Sequence, residues 1–130
     1  MRTFRIADAA RLLGVSDDTV RRWIEAGSLA TTGASPVEIP GDALARRAVE
    51  RAQQAADTSD VLSSARNRFV GLVTRVQVDG VMAQVDIQSG PHRVVSLMSA
   101  EAVRELELQV GSLAAAVVKA TTVIVEAPKD

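Results

Sequence analysis

A chain of 130 residues has room for one ordinary domain or two small ones, and at 47% hydrophobic and 24% charged residues it reads as folded protein. Without cysteine it has no disulfide, no thiol nucleophile and no cysteine-held zinc. The net charge is −1, with eight Arg against nine acids in residues 1–60, which excludes a general basic excess, so any nucleic-acid contact must be local.

The opening stretch, Met1 to Val15, has charges spread through it and no long apolar run. It therefore reads as neither a secretory signal nor a membrane span, and a cytoplasmic location is expected. Ile6, Ala9, Ala10 and Leu13 share one helical face, with Gly14 as a breaker. Ser16 is a good N-cap for a second helix, Asp17 and Asp18 suit its first turn, and Val20, Trp23 and Ile24 give its buried stripe before Gly27. Thr31 to Gly41 holds two Gly and two Pro around Val37-Glu38-Ile39, the pattern of a turn or small hairpin. Asp42 can cap a third helix, Ala43 to about Ala56, and Asp57-Thr58-Ser59-Asp60 reads as a linker.

From Phe69 the period changes to two. Val70, Leu72, Val76 and Val78 alternate with polar residues up to an Asp79-Gly80 turn. Val81, Ala83, Val85 and Ile87 form a partner strand, and Ser89-Gly90-Pro91 turns into a third, Arg93 to Met98. Ser99 can cap a short helix with Val103 and Leu106 inward, followed by strands at Leu113–Lys119 and Thr122–Val125. The expected fold is α+β in two domains: a helical one at 1–57, and at 61–130 a five-stranded β-barrel of the OB type with one short helix.

Two helices around a Gly-containing turn form a helix-turn-helix, whose second helix enters the major groove of double-stranded DNA. Arg21 and Arg22 suit phosphates or guanine edges, and Ser16, Asp17, Asp18 and Thr19 lie where the helix start meets the duplex. The run Phe4 to Ser16, followed by Thr19-Val20-Arg21-Arg22-Trp23-Ile24-Glu25-Ala26-Gly27-Ser28-Leu29, resembles the MerR/excisionase-type winged helix-turn-helix. The wing of that family usually carries several basic residues. Here Thr31 to Pro40 has none and adds Glu38.

Ser64-Ala65-Arg66-Asn67 opens the second half and Val118-Lys119-Ala120-Thr121 closes it. Hydroxyl, guanidinium, amide, ammonium and backbone N–H groups are the donors a tetrahedral oxyanion needs, and neither segment contains an acid. Residues 61–128 resemble the molybdate-binding Mop or TOBE domain, on those two segments and on Val103-Arg104-Glu105-Leu106-Glu107-Leu108. The resemblance implies a molybdate or tungstate site between subunits, using Ser64, Arg66, Asn67 and Lys119 with Ala65, Ala120 and Thr121 nearby. It also implies a role for Ser99, while Ala102 stands where the family has a second hydroxyl.

His92 follows Gly90-Pro91 and reads as a solvated turn residue, and Trp23 reads as core. No nucleophile and base can be assembled, so no catalytic residue and no enzymatic activity are expected. Two small cores favour a homodimer or higher homo-oligomer. The function expected is a molybdate- or tungstate-responsive DNA-binding transcriptional regulator. The alternatives are an intracellular molybdate store, or a DNA-binding protein whose barrel only oligomerises.

Overall fold

A computed structural model describes residues 2–52 and 62–129. The chain divides into two compact units, Met1–Gln53 and Gln54–Asp130. The third helix ends at Arg51 with Ala52 as its C-cap, short of the expected Ala56, and residues 53–56 and the linker Asp57–Asp60 lie outside the described residues.

The first unit runs β1 (Thr3–Phe4), α1 (Ile6–Leu13), α2 (Asp17–Glu25), β2 (Ile39–Pro40) and α3 (Gly41–Arg51). Gly14 ends α1 in the left-handed conformation (φ 69°), which lets Val15 N–H reach back to Ala10 O at 3.0 Å. Ser16 caps α2, its Oγ accepting from Thr19 N–H at 3.1 Å, a bond worth about 1 kcal/mol. The core is Ala9, Ala10, Val20, Leu29, Ile39, Ala43 and Leu44, with Ile6, Leu13, Trp23 and Ile24 packed against it.

Two features of this unit differ from the sequence expectation. Thr31–Gly41 forms no hairpin of its own: Thr32 N–H donates to Glu38 O at 2.9 Å, but the short strand β2 pairs antiparallel with β1, Phe4 opposite Ile39. Ile39 is fully buried, so the segment is drawn to the core edge where β1 lies, and Pro36 and Pro40 have no N–H to offer a ladder. Helix α3 starts at Gly41, ahead of the expected Ala43, because Gly41 N–H donates to Arg2 O at 2.8 Å and the chain passes straight from strand to helix. Asp42 still binds locally, Oδ1 accepting from Ala43 N–H at 2.8 Å.

The second unit contains β3 (Asn67–Asp79), β4 (Met82–Ser89), β5 (His92–Ser99), α4 (Ala100–Glu105), β6 (Leu113–Val118) and a 3-10 turn at Ala120–Thr122. The strands form one antiparallel sheet in the order β5-β4-β3-β6. The sheet curls, because its two edge strands, β5 and β6, line a single groove of about 650 Å³. Val73, Ala83, Val85, Ile87 and Val103 form the core.

The even-numbered alternation read in β3 does not survive intact. Register runs Val73 opposite Ile87 and then Arg75 opposite Asp86, so Thr74 is an extra residue in a β-bulge. The bulge switches the inward face: Val73 is buried before it and Val76 half-buried after it, while Leu72 and Val78 are exposed. On β4, Ala83, Val85 and Ile87 point inward as read, but Val81 precedes the strand and is exposed.

Four strands, not five, make the sheet among the described residues. At Thr122–Val125 the chain makes the end of the 3-10 turn and then runs on without a partner, leaving Ile124 and Val125 each 86% exposed. Ser99 caps α4 as expected, its Oγ accepting from Ala102 N–H at 3.0 Å. Val103 is buried, whereas Leu106, expected inward, is the exposed C-cap and lines the open groove. The helix is only six residues long and stops before its stripe completes a second turn.

Candidate functional site

The first candidate surface is α2. Val20 is fully buried and Trp23 and Ile24 pack on the core, which turns Asp17, Asp18, Arg21 and Arg22 to solvent on the opposite faces. These residues are engaged with each other. Arg21 forms an ion pair with Asp18 at 3.3 Å, Arg22 Nη2 donates to Thr19 Oγ1 at 3.0 Å, and the Ser16 and Thr19 hydroxyls lie 2.9 Å apart. Ser16 is thus a cap, with its oxygen occupied, and Arg22 has no carboxylate partner among the described residues. Trp23 is only half-buried, with the guanidinium carbons of Arg47 and Arg51 4.5 and 5.6 Å from its ring centre.

The second candidate surface joins the two ends of the β unit. Strands β3 and β6 pair with Asn67 opposite Val118, and Asn67 Nδ2 donates to Val118 O at 3.2 Å. Ser64-Ala65-Arg66-Asn67 and Val118-Lys119-Ala120-Thr121, fifty-one residues apart at that bond, are therefore side by side. Ser64, Arg66, Lys119, Ala120 and Thr121 are exposed and Ala65 half-buried. Neither Arg66 nor Lys119 pairs with a described carboxylate. Both are exposed, whereas Asn67 uses one amide hydrogen on the strand pair.

Ser99 is not in this cluster within one chain. It pairs with Met82, which pairs with Asp79, at the far end of β3 from Asn67. At roughly 3.3 Å per residue, the path along β3 between the two ends is about 40 Å. His92 is exposed at the start of β5.

The sequence reading missed one buried charge. Asp86 is 4% exposed, and its carboxylate accepts from Arg93 Nε at 3.0 Å and Nη2 at 2.7 Å and from Gln84 Nε2 at 3.0 Å. Alternation places it among solvated residues, because it faces away from Val85 and Ile87; β4 has a strand on each side, with Asp86 opposite Arg75 of β3 and Val95 of β5, and the side chains of Gln84 and Arg93 bind its carboxylate. The hydrogen bonds from Gln84 and Arg93 hold the carboxyl below its ordinary value, against burial, with the charges of Arg93 and Arg75 adding to them. A depressed folded pKa gives stability that is present above the unfolded value of 3.8 and is lost as pH falls through the folded value. In denaturant titrations across pH, wild type should lose its advantage over Asp86→Asn as the solution is acidified below about pH 4. An advantage unchanged by acid would mean the carboxylate gains nothing from its partners.

Comparison with known proteins follows the same division. A helix-turn-helix domain profile matches residues 3–48 and a TOBE domain profile matches residues 63–125. A probable molybdenum-pterin-binding protein from Haemophilus influenzae is 44% identical over 63 residues, which is 48% of this chain and 91% of that protein. The chain belongs to the TOBE-domain family. Its TOBE domain is preceded by a helix-turn-helix domain of the excisionase type. Molybdenum transport protein ModE from Herbaspirillum seropedicae is 33% identical over 63 residues, covering 48% of this chain but only 23% of that protein. Among solved structures, a molybdate-binding protein from Sporomusa ovata is 27% identical with a TM-score of 0.50, over 52% of this chain and all of that one. The candidate oxyanion segments both fall inside the TOBE match, and α2 inside the helix-turn-helix match. Among the described residues no helix is long and apolar enough to cross a membrane.

Proposed function

We propose that this protein is a molybdate- or tungstate-responsive DNA-binding regulator, acting by binding and not by catalysis. The observation that carries the reading is the register of Asn67 opposite Val118, which gathers hydroxyl, guanidinium, amide and ammonium donors from two segments that contain no acid. That donor set fits a tetrahedral dianion. Arg66 and Lys119 supply charge, Ser64 and Thr121 hydroxyl donors, and the backbone of Ala65 and Ala120 the close approach. The two relatives named for molybdenum and the solved molybdate-binding protein support the choice of oxyanion.

The site is completed by a second copy of the chain. Within one chain Ser99 lies at the far end of β3 from Asn67, so a role for it at the anion would require a second copy, and among the described residues the chain leaves an apolar groove and the outer edges of β5 and β6 uncovered. Val123-Ile124-Val125, extended at Val123 and β-branched throughout, is suited to supply the fifth strand and close the barrel across copies. Anion binding would then favour one arrangement of subunits, fix the separation of two α2 helices, and change affinity for paired DNA half-sites. Such a regulator works in the cytoplasm.

Thermal unfolding with millimolar molybdate, and sulfate as control, tests the reading. A ligand at one hundred times its Kd adds about 2.7 kcal/mol. A rise with molybdate alone, absent in Lys119→Ala, together with DNA retention that weakens with salt and responds to molybdate, is the expected result. Melting that ignores molybdate would remove the sensor. A molybdate response in large assemblies without DNA retention would favour the storage reading.

A further inference from the structure

In helix-turn-helix proteins of this type the segment after the reading helix is expected to hold the DNA backbone, yet residues 31–40 contain no Lys or Arg. The cations of the three helices divide into two groups. Arg11, Arg21, Arg46 and Arg47 each pair with a carboxylate, with Asp8, Asp18, Asp42 and Glu50 respectively. Among the described residues Arg22 and Arg51 do not. Arg22 is the residue before Trp23 on α2, and Arg51, in the last turn of α3, lies with its guanidinium carbon 5.6 Å from the Trp23 ring centre. Arg47 lies closer on the same ring, and its Nε is buried without a hydrogen-bond partner, so it serves to tie α3 to α2.

We propose that Arg51 is a DNA-backbone anchor, contacting a phosphate beside the one met by Arg22 and taking the place of the missing basic wing. This rests on the DNA-binding reading of α2. A guanidinium lying on an aromatic face keeps its N–H edges free, and the stack limits the side chain's freedom before DNA arrives. Those edges can then meet two phosphate oxygens. Its position on α3, off the reading helix, gives it no base edge to read, so its contribution is the same at every sequence.

The test is binding of the full chain to a mixed-sequence DNA duplex over a range of KCl, for wild type, Arg22→Ala, Arg51→Ala and Arg51→Lys, with far-UV circular dichroism to follow helix content. Each phosphate contact contributes about 0.9 to the slope of log K against log salt. The expected result is that Arg51→Ala lowers the slope by about that amount and weakens binding several-fold at low salt, while Arg51→Lys keeps the slope. A wild-type slope in Arg51→Ala, with a reduced one in Arg22→Ala, overturns the proposal and leaves the DNA-binding reading standing. Equal losses in Arg51→Ala and Arg51→Lys place the effect in packing and overturn it too. Absence of salt-dependent binding in wild type overturns the reading of α2 and the proposal with it.

Discussion

Gly71→Ala is expected to destabilise the TOBE domain by about 3 kcal/mol, the upper part of the range for overpacking. A Cβ at this position in β3 would lie 2.1 Å from the Gln88 carbonyl oxygen, 2.7 Å from its carbon and 2.9 Å from Ser89 Cα. All three are backbone atoms of β4, so no side chain can rotate away, and β3 and β4 must separate where Ser89 Oγ donates to Val70 O at 2.7 Å. On its other side Gly71 pairs with Ala114 of β6. The strain falls on the β3–β4 pair, in the strand that also carries Asn67 against Val118 of β6 four residues away. For a domain of this size, 3 kcal/mol lowers Tm by about 12–24 °C. Scanning calorimetry of the variant gives the answer, and a melting point within two or so degrees of wild type would mean that the strands do not approach so closely. Any molybdate-dependent rise in Tm should shrink in step.

What the sequence made legible here is what is local. Gly14, the Ser16 cap and the stripe Val20-Trp23-Ile24 specify α1, the turn and α2 within a few residues of each other, and these elements lie where they were expected. Asp79-Gly80 and Ser89-Gly90-Pro91 likewise set the β3–β4 and β4–β5 turns. What depends on pairing between distant segments was harder to read. The extra residue at Thr74 puts odd positions inward before it and even positions inward after it, so that Val73 is buried and Leu72 exposed, and no residue type announces a bulge. The sequence around Ile39 has the pattern of a turn or small hairpin, and its actual partner is hard to read from it because β1 is two residues long and thirty-five positions away. Thr122–Val125 has the composition of a strand, but it pairs with no strand among the described residues. The oxyanion segments were recognisable as motifs. Their meeting, through Asn67 and Val118, belongs to the fold, and so does the separation of Ser99 from them.

Ile39→Ala is expected to have a comparable or larger effect on the helix-turn-helix domain, where less stability is available to absorb it. Ile39 is 0% exposed and belongs to the cluster of Ala9, Ala10, Val20 and Leu44, so its side chain is the link between the two reading-motif helices and α3. Truncating a buried isoleucine costs about 2–5 kcal/mol when the site cannot collapse, and the three alanines in this core offer little bulk to fill the space. At about 0.05–0.15 kcal/mol per residue, a domain of some fifty residues is stable by roughly 3–8 kcal/mol, so the variant should be substantially unfolded near physiological temperature. Trp23, the only tryptophan in the chain, reports on this domain alone, because its ring lies between the core and Arg47 and Arg51. Its emission should shift toward that of solvated indole, and DNA retention should fall even though Ile39, fully buried, cannot itself contact DNA. Wild-type emission and full DNA retention in Ile39→Ala would mean that the α1–α2 pair holds its geometry without β2 and α3, and the placement of Arg51 beside Trp23 would then have no structural basis.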